Sequence, residues 1–296
     1  MKPETLLTIF ELRAKDKSAL ELLDAALPTE LFGPTCAKSL RGLHFEADFA
    51  FLFFDAPVDL EQFLKTYPIF ELRQIHTLRY DQWQDGAGSP PIDLGELRIV
   101  PSFDSKQLSQ EKKQALSLPP TIFIDPGLAF GYGGHPTTKT CLEFLISIYK
   151  PKYLGSKKPA TSLDLGCGTG VLALAAAKLG AKRVLGVDHS HLAVEAARKN
   201  LTYNRLAHKV TIERGLAQNY ARRPSEVVLA NIPLFVLSDL VSLGAFDERS
   251  HLIVSGLLPD EGDVFLKALM ERNSYEIIDA VRTDRWISYW LKMSSA

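Results

Sequence analysis

The sequence predicts an α/β protein, with a doubly wound parallel sheet that has an antiparallel edge, preceded by a smaller α+β unit. Three observations support this prediction. From residue 162 onward, short apolar runs that suit strands alternate with helix-length segments. A glycine-rich loop joins the first of these strands to the first helix. Residues 1–80 show a separate strand and helix order that suits a ferredoxin-like split βαβ unit.

The N-terminal unit, residues 1–80, is predicted to have the order β-α-β-β-α-β. The second helix is short, and Asp59 suits its N-cap position. The segments expected to form these elements are Leu6–Leu12 (strand), Ser18–Leu27 (helix), Leu43–Phe54 (aromatic-rich and strand-like), Asp59–Tyr67 (helix) and Phe70–Arg79 (strand).

Residues 81–120 have a different composition, which predicts a linker and connecting segment. They contain the run Asp85-Gly86-Ala87-Gly88-Ser89-Pro90-Pro91 and one short predicted strand over Leu97–Val100, and they end at Pro119-Pro120. We therefore expect a second domain over residues 121–296.

The second domain is predicted to alternate strands and helices and to close with a strand pair. Its predicted strands are Ser162–Leu165, Arg183–Val187, Val210–Glu213, Glu226–Asn231 and Leu252–Ser255, its clearest helices are Thr137–Tyr149, Thr169–Leu179 and His191–Asn204, and the closing pair is Tyr275–Ala280 with Trp286–Lys292.

Composition excludes several classes of protein. The 34 Lys and Arg residues nearly balance 35 Asp and Glu residues, so charge favours neither specific nucleic-acid binding nor an anionic membrane. The three cysteines form no CxxC pair, which argues against a disulfide scaffold or zinc module. The longest apolar runs, such as Phe49–Phe54 and Val171–Ala177, are far shorter than a membrane span, and no apolar signal region follows Met1. We expect a soluble, cytoplasmic protein.

The most informative motif is the loop Asp164-Leu165-Gly166-Cys167-Gly168-Thr169-Gly170 between a strand and a helix. Glycines at such a turn let the backbone approach a ligand at the carboxyl edge of the sheet. The dinucleotide fingerprint fails because its sixth position is Val171, and the Gly-Lys-Ser/Thr of a P-loop is absent. The spacing resembles motif I of class I S-adenosylmethionine-dependent methyltransferases. That resemblance implies that Asp188, which ends the second strand, binds the ribose hydroxyls.

A second unusual segment, Asp125–Thr138, places glycines around Phe130 and His135. This pattern indicates a loop that wraps around a ligand. Thr137 or Thr138 can cap the following helix, and either could instead contact the methionyl end of the cofactor. The alternative is a glycine-rich connection with an ordinary capped helix.

Three segments together, DPGLAFGYGGHPTT, SLDLGCGTGVLALAAAKLGAKRVLGVD and VVLANIPL, resemble the PrmA family, the methyltransferases of ribosomal protein L11. The resemblance covers about residues 120–290 and implies a class I methyltransferase domain with a ferredoxin-like domain for substrate recognition. It implies S-adenosylmethionine as cofactor, bound by Thr137, Thr138, Asp164, Gly166, Gly168, Gly170, Asp188 and Asn231. Tyr132 departs from the family's FGTG, where threonine is usual.

Three residues are candidates for catalysis. Asn231 resembles the asparagine that opens Asn-Pro-Pro-Tyr motifs, and its oxygen could orient the acceptor amine; otherwise it is a turn residue. His135 could act as a base or hydrogen-bond acceptor, or serve only the loop. Phe130 could form an apolar wall near the methyl group, or be core packing. Cys167 is expected to pack without reacting, because no basic neighbour activates it. His189 and His191 do not suggest a metal site.

The expected function is therefore N-methylation of lysine or terminal amines of ribosomal protein L11, with at most transient contact with the ribosome through a lysine cluster that includes Lys150 and Lys158. Two alternatives remain open. One is methylation of another protein or a small amine, which Tyr132 motivates. The other is a protein that binds the cofactor without transferring its methyl group.

Overall fold

The computed structural model describes residues 5–25, 28–46, 49–79, 90–101, 119–125, 131–150, 158–283 and 285–294. Its N-terminal part contains four strands and three helices within the described residues. They are β1 (Leu6–Ala14), α1 (Lys17–Ala25), α2 (Pro28–Ala37), β2 (Leu40–Glu46), β3 (Phe49–Phe54), α3 (Glu61–Thr66) and β4 (Phe70–Arg79).

The four N-terminal strands form one antiparallel sheet in the order β2-β3-β1-β4, which is the predicted split βαβ arrangement. Alternate residues of β1 point into an apolar core, where Phe10 meets Phe54 edge to face with ring centroids 5.7 Å apart. The helix α2 was not predicted. It is kinked at Gly33, and proline and glycine within a helix normally indicate that the helix ends.

Two short strands lie in the described part of residues 81–120, namely β5 (Ile92–Asp93) and β6 (Arg98–Pro101). They join β7 (Thr121–Ile124) in a three-stranded sheet of order β5-β6-β7, with β6 and β7 parallel. Leu97 and Ile99 are fully buried in the same core as the helices of the larger unit. This part of the segment predicted as a connector therefore packs as part of the larger unit.

The larger unit alternates helices and strands. Its elements are α4 (Pro136–Ile148), β8 (Thr161–Leu165), α5 (Val171–Leu179), β9 (Arg183–Asp188), α6 (His191–Asn204), β10 (Val210–Arg214), β11 (Val227–Asn231), α7 (Leu234–Ser242), β12 (His251–Leu257), α8 (Pro259–Met270), β13 (Tyr275–Arg282) and β14 (Ile287–Met293), with a 3₁₀ turn over Ala217–Tyr220. These confirm the predicted doubly wound fold class.

Seven strands form the central sheet in the order β10-β9-β8-β11-β12-β14-β13. The first five are parallel, and β14 pairs antiparallel with both β12 and β13. Helices cover both faces, so the central strands are apolar on both sides; Val227–Ala230, for example, are completely buried. The order reverses between β8 and β11, and this switch point opens a crevice at their carboxyl ends.

The described part of the chain has no helix that is long and apolar enough to span a bilayer. Even α5, whose residues Val171–Ala177 are all buried, has only 9 residues. Its apolar character on every side is explained by its position in the core, where it packs against β8 and β9 on one side and against β7, α4 and α6 on the others.

Candidate active site

The glycine loop lies at the switch point, where β8 ends next to β11. Gly166 has φ +73°, a left-handed conformation that suits glycine. A Cβ at this position would lie 2.3 Å from Cγ2 of Ile232, which directly follows β11. The loop therefore turns in a space that only glycine leaves open, directly beside the residues that follow Asn231.

Asp188 ends β9 at the same edge, and its carboxylate is tied to the glycine loop. One oxygen accepts a 2.8 Å hydrogen bond from the backbone N–H of Gly168, and the other accepts one of 3.0 Å from that of Ser190. The residue is 8% exposed. These bonds hold the acid across from the glycines, and its role in binding ribose hydroxyls stays a prediction.

Asp164 lies deeper than Asp188. It is almost completely buried, and its Oδ2 accepts a 2.9 Å hydrogen bond from the backbone N–H of Ala173 in α5. Burial raises the pKa of this carboxyl to about 7, and the charge of Asp188 adds to the rise, although the Ala173 bond opposes it. Asp164 thus fixes the start of α5 beneath the loop.

Asn231 ends β11 and contacts both threonines that the sequence analysis selected. Its Nδ2 donates to Oγ1 of Thr137 at 3.2 Å and approaches Oγ1 of Thr138 at 3.5 Å. Its Oδ1 would lie 3.1 Å from a Cβ at position 256, so Gly256 keeps that side of the amide clear. The nitrogen is thus committed to the threonines, and the oxygen is the acceptor available to the crevice.

His135 is the N-cap residue of α4 and belongs to the same network. Its Nδ1 accepts from the backbone N–H of Thr137 at 3.4 Å and lies 2.7 Å from the Thr137 hydroxyl. Because the backbone N–H can only donate, Nδ1 is an acceptor, and the neutral ring carries its proton on Nε2. The ring also meets Trp286 edge to face at 5.7 Å.

Tyr132, the departure from the family pattern, packs against the larger core. Its hydroxyl lies over Gly134, because a Cβ at that position would be 2.2 Å from it. Gly131 beside it accepts a 2.7 Å hydrogen bond from the Thr169 hydroxyl of the glycine loop. The loop after residue 130 is thus joined to the glycine loop. Phe130 itself lies outside the described residues, so its predicted role as an apolar wall stays a prediction.

Two asparagines that sequence reasoning missed lie on the buried side of α6. Asn204 pairs with the edge of β7 through two hydrogen bonds to the Phe123 backbone. Its Oδ1 accepts from the Phe123 N–H at 2.9 Å, and its Nδ2 donates to the Phe123 carbonyl at 2.7 Å. Asn200 pairs in the same way with Asp125. The sequence pattern that could have indicated these two asparagines is their spacing of four residues on an apolar helix face. The neighbouring Lys199 forms an ion pair with Asp125.

Among the remaining predictions, Cys167 is buried within the loop, and burial raises the pKa of its thiol well above the usual value, which suits packing rather than nucleophilic attack. His191 lies 3.4 Å from Glu195 of its own helix. Lys150, from the lysine cluster, contacts Glu96 at 2.9 Å. Within the described residues, no group of His, Cys, Asp and Glu side chains could hold a metal ion.

The sheet order, the glycine loop at the switch point and the acid ending the next strand define the larger unit as a class I methyltransferase fold. A family model described as "Ribosomal protein L11 methyltransferase (PrmA)" matches residues 61–294. The chain belongs to this family, which confirms the resemblance drawn from the three sequence segments.

A solved structure of ribosomal protein L11 methylase from Lactobacillus delbrueckii subsp. bulgaricus matches with 30% identity and a TM-score of 0.56, covering 69% of this chain and 99% of that one. Ribosomal protein L11 methyltransferase from Caldanaerobacter subterraneus is 36% identical over 173 residues, which cover 58% of this chain and 53% of the relative. The Carboxydothermus hydrogenoformans protein of the same name is 33% identical over 200 residues, or 66% and 60% respectively. The alignments with the Caldanaerobacter and Carboxydothermus proteins thus span only 53% and 60% of the length of those relatives.

Proposed function

We propose that this protein transfers a methyl group from S-adenosylmethionine to amines of ribosomal protein L11. The observation that carries the proposal is the meeting of three parts in one crevice. These are the glycine loop, the Asp188 carboxylate bonded to Gly168, and Asn231 held by two threonines. Family membership and the names of the similar proteins support the choice of substrate.

The residues present fit the proposed cofactor. The backbone at Gly166 leaves no space for a Cβ, as expected where a loop closes tightly beside a ligand site. The Asp188 carboxylate lies beside the glycine loop, and a carboxylate suits ribose hydroxyls because it accepts the hydrogen bonds that they donate. When bound, S-adenosylmethionine supplies a methyl group on a positively charged sulfur, which is already activated for attack by an amine.

The protein's main task is therefore to align the acceptor amine. Asn231 suits this task because its Nδ2 is committed to Thr137 and Thr138, which leaves Oδ1 to accept an amine hydrogen. An amine that donates to Oδ1 keeps its lone pair directed elsewhere, toward the methyl group. The threonines thus fix the acceptor before the substrate arrives.

The amine must react in its neutral form. A lysine with a pKa of ~10.4 requires about 4.6 kcal/mol to be neutral at pH 7, whereas a terminal amine with a pKa of ~7.8 requires only about 1 kcal/mol. His135 does not suit the role of base, because the lone pair of Nδ1 is directed at Thr137 and Nε2 carries the proton of the ring. In this proposal, His135 positions Thr137 and hence Asn231, and the proton leaves to water. Partial desolvation of a lysine in the crevice would lower the cost of neutrality.

Two variants test the two parts of the proposal, which are the cofactor site and the alignment of the amine. Asp188→Ala removes a charged acceptor, so we expect the dissociation constant for S-adenosylmethionine, measured by calorimetry, to rise roughly ten- to hundredfold. Asn231→Ala should leave that constant within about threefold but lower the rate of transfer to purified ribosomal protein L11 by about a hundredfold.

The matched controls are Asp239→Ala and Asn219→Ala. Both side chains are exposed, and among the described residues neither has a hydrogen bond to Asp188, Asn231 or the glycine loop. Neither should change binding or transfer. An unchanged affinity of the Asp188 variant for S-adenosylmethionine would contradict the proposed cofactor site. An unchanged transfer rate in the Asn231 variant would contradict the proposed role of Asn231 in aligning the amine.

A further inference from the structure

The strand β12 contains a β-bulge near its carboxyl end, where its pairing with β14 shifts by one residue. Ser255 and Gly256 of β12 there lie opposite the single residue Ser288 of β14. Gly256 has φ +83°, a left-handed conformation that suits glycine. In the parallel pairing of β11 with β12, Ser255 is the partner of Asn231. The bulge therefore lies directly beside the residue that we propose to align the amine.

Gly256 is the part of the bulge that faces Asn231. A Cβ at position 256 would lie 3.1 Å from Oδ1 of Asn231 and 3.1 Å from the backbone nitrogen of Ile232. The N–H of Ile232 in turn donates to the Ser255 carbonyl at 3.2 Å. Because the backbone of the bulge borders the amide oxygen this closely, a displacement of the bulge would change the space in which Oδ1 can accept a hydrogen bond.

Two buried hydroxyl groups hold the bulge on the side of β14. Ser255 is fully buried and Ser288 is 2% exposed, and their Oγ atoms lie 2.6 Å apart, which is a hydrogen-bond distance. The thiol of Cys141 in α4 also bonds to the Ser255 side chain, and burial raises the pKa of this thiol to about 12, so it keeps its proton at neutral pH. Losing one partner of a buried polar pair is costly, so this pair restricts the position of the bulge.

The helix α4 connects this pair to Asn231. Cys141 follows Thr137 by four residues, so the two side chains lie on the same side of the helix. Thr137 accepts from Nδ2 of Asn231, and Cys141 bonds to Ser255. The nitrogen of the Asn231 amide is thus held from α4, while its oxygen faces the bulge that Ser288 holds.

We propose that Ser288 is a positioning residue for methyl transfer. Its hydroxyl fixes Ser255 and thereby keeps Gly256 in the place that leaves Oδ1 of Asn231 able to accept an amine hydrogen. This inference rests on the proposed function, since it requires that Asn231 aligns the amine. Ser288 acts through the bulge rather than through the reacting groups, so it affects the rate of transfer and leaves the binding of S-adenosylmethionine unchanged.

The test is the Ser288→Ala variant, which removes the hydroxyl that bonds to Ser255. We expect kcat for methylation of ribosomal protein L11 to fall about five- to tenfold, as for the loss of one hydrogen bond. The dissociation constant for S-adenosylmethionine should stay within about twofold of the wild-type value. A rise in that constant with unchanged kcat would overturn the proposal.

A double-mutant cycle with Ser255→Ala tests whether the two hydroxyls act together. Both single variants remove the same hydrogen bond, so the double variant should have the same kcat as Ser255→Ala alone, within about twofold. If the two effects on kcat multiply instead, Ser288 does not act through Ser255, and the proposal is overturned.

Ser162→Ala is the matched control. Ser162 is another buried serine of the central sheet, and its Oγ lies 3.5 Å from the Tyr149 hydroxyl. It pairs with Val227, at the opposite end of β11 from Asn231. The control should lower the melting temperature, as Ser288→Ala does, without changing kcat. An equal fall of kcat in both variants would show a general loss of stability and overturn the proposal.

Amide hydrogen exchange at Ile232 reports on the bulge without cofactor or substrate, because this N–H donates to the Ser255 carbonyl. Exchange should become faster in Ser288→Ala and stay unchanged in Ser162→Ala. Unchanged exchange in Ser288→Ala would overturn the link between Ser288 and the bulge. If exchange becomes faster but the wild-type protein does not methylate ribosomal protein L11, the proposed function fails, and the positioning role fails with it. If the wild type transfers the methyl group and Ser288→Ala has the same kcat, only the present inference fails.

Discussion

At the scale of single residues, Asn231 has a fixed orientation because a short chain of hydrogen bonds decides which of its amide atoms faces the crevice. Nδ1 of His135 accepts from Thr137, and the Thr137 hydroxyl in turn accepts from Asn231. The sequence indicated all three residues as site candidates. It did not indicate that they bond to one another, because Asn231 is 94 residues from Thr137 and only the folded sheet brings them together.

Asp164 gives a pH prediction at the same scale. Its pKa is raised to about 7 by burial, from 3.8, so the folded state keeps a proton that the unfolded chain has lost. The stability that Asp164 contributes is therefore fully present below its unfolded pKa and is lost as the pH rises through about 7. The total loss is on the order of 4 kcal/mol. Asp164→Asn is neutral at every pH, so its stability relative to the wild type should increase from about pH 4 to about pH 8.

The measurement for Asp164 is urea unfolding of both proteins across that range. His251 also makes the unfolding free energy depend on pH. Burial lowers its pKa to about 4, so the wild type becomes less stable as the pH falls below 6.5. This effect is common to both proteins and cancels in their difference. A difference in unfolding free energy that stays constant with pH would contradict the assignment of a neutral, buried Asp164.

At the scale of elements, the turn from β8 to α5 depends on the close approach of Gly166 and Ile232. Gly166→Ala should lower the unfolding free energy by roughly 2–4 kcal/mol, since it adds both left-handed strain and an overpacked contact. Gly95→Ala is the matched control, because Gly95 has φ +79° and no atom lies within 4 Å of the place that its Cβ would take. It should show the strain alone, about 1–2 kcal/mol.

Combining Gly166→Ala with Ile232→Ala tests the contact directly by denaturant unfolding. The pair should be less destabilised than the sum of the two single variants, by about 1 kcal/mol or more, because the second change removes the atom that the new Cβ would meet. Strictly additive losses would mean that Ile232 does not restrict this turn.

Elements with a clear repeat of apolar residues, or with a distinctive loop, could be predicted from the sequence. Elements that depend on contacts between distant parts of the chain could not. The alternation after residue 162 indicated the doubly wound sheet, because buried parallel strands are apolar on both faces. The helix α2 was missed because Gly33 lies inside it. The pairing of β7 with side chains of α6 was missed because Asn204 completes a sheet edge 81 residues away, a contact that no local pattern records.

At the scale of the whole molecule, the N-terminal sheet and the methyltransferase fold are the two parts that the proposed function requires. Leu192, in the first turn of α6, packs against the core of the N-terminal sheet, only four residues after Asp188. The proposed substrate-recognition part therefore contacts α6, the helix that follows Asp188. The sequence suggested the two units from composition and element order, but it contained no sign of this contact, because Leu192 has the pattern of an ordinary apolar helix position.

The proposed function requires that the assembled crevice methylates ribosomal protein L11. The most direct measurement incubates the protein with S-adenosylmethionine and purified ribosomal protein L11 and records the intact mass of the latter. We predict mass gains in multiples of one CH₂ unit, which are absent with Asp188→Ala and present with Asp239→Ala. No mass gain in a sample where calorimetry shows that the cofactor is bound would contradict the claim about this substrate.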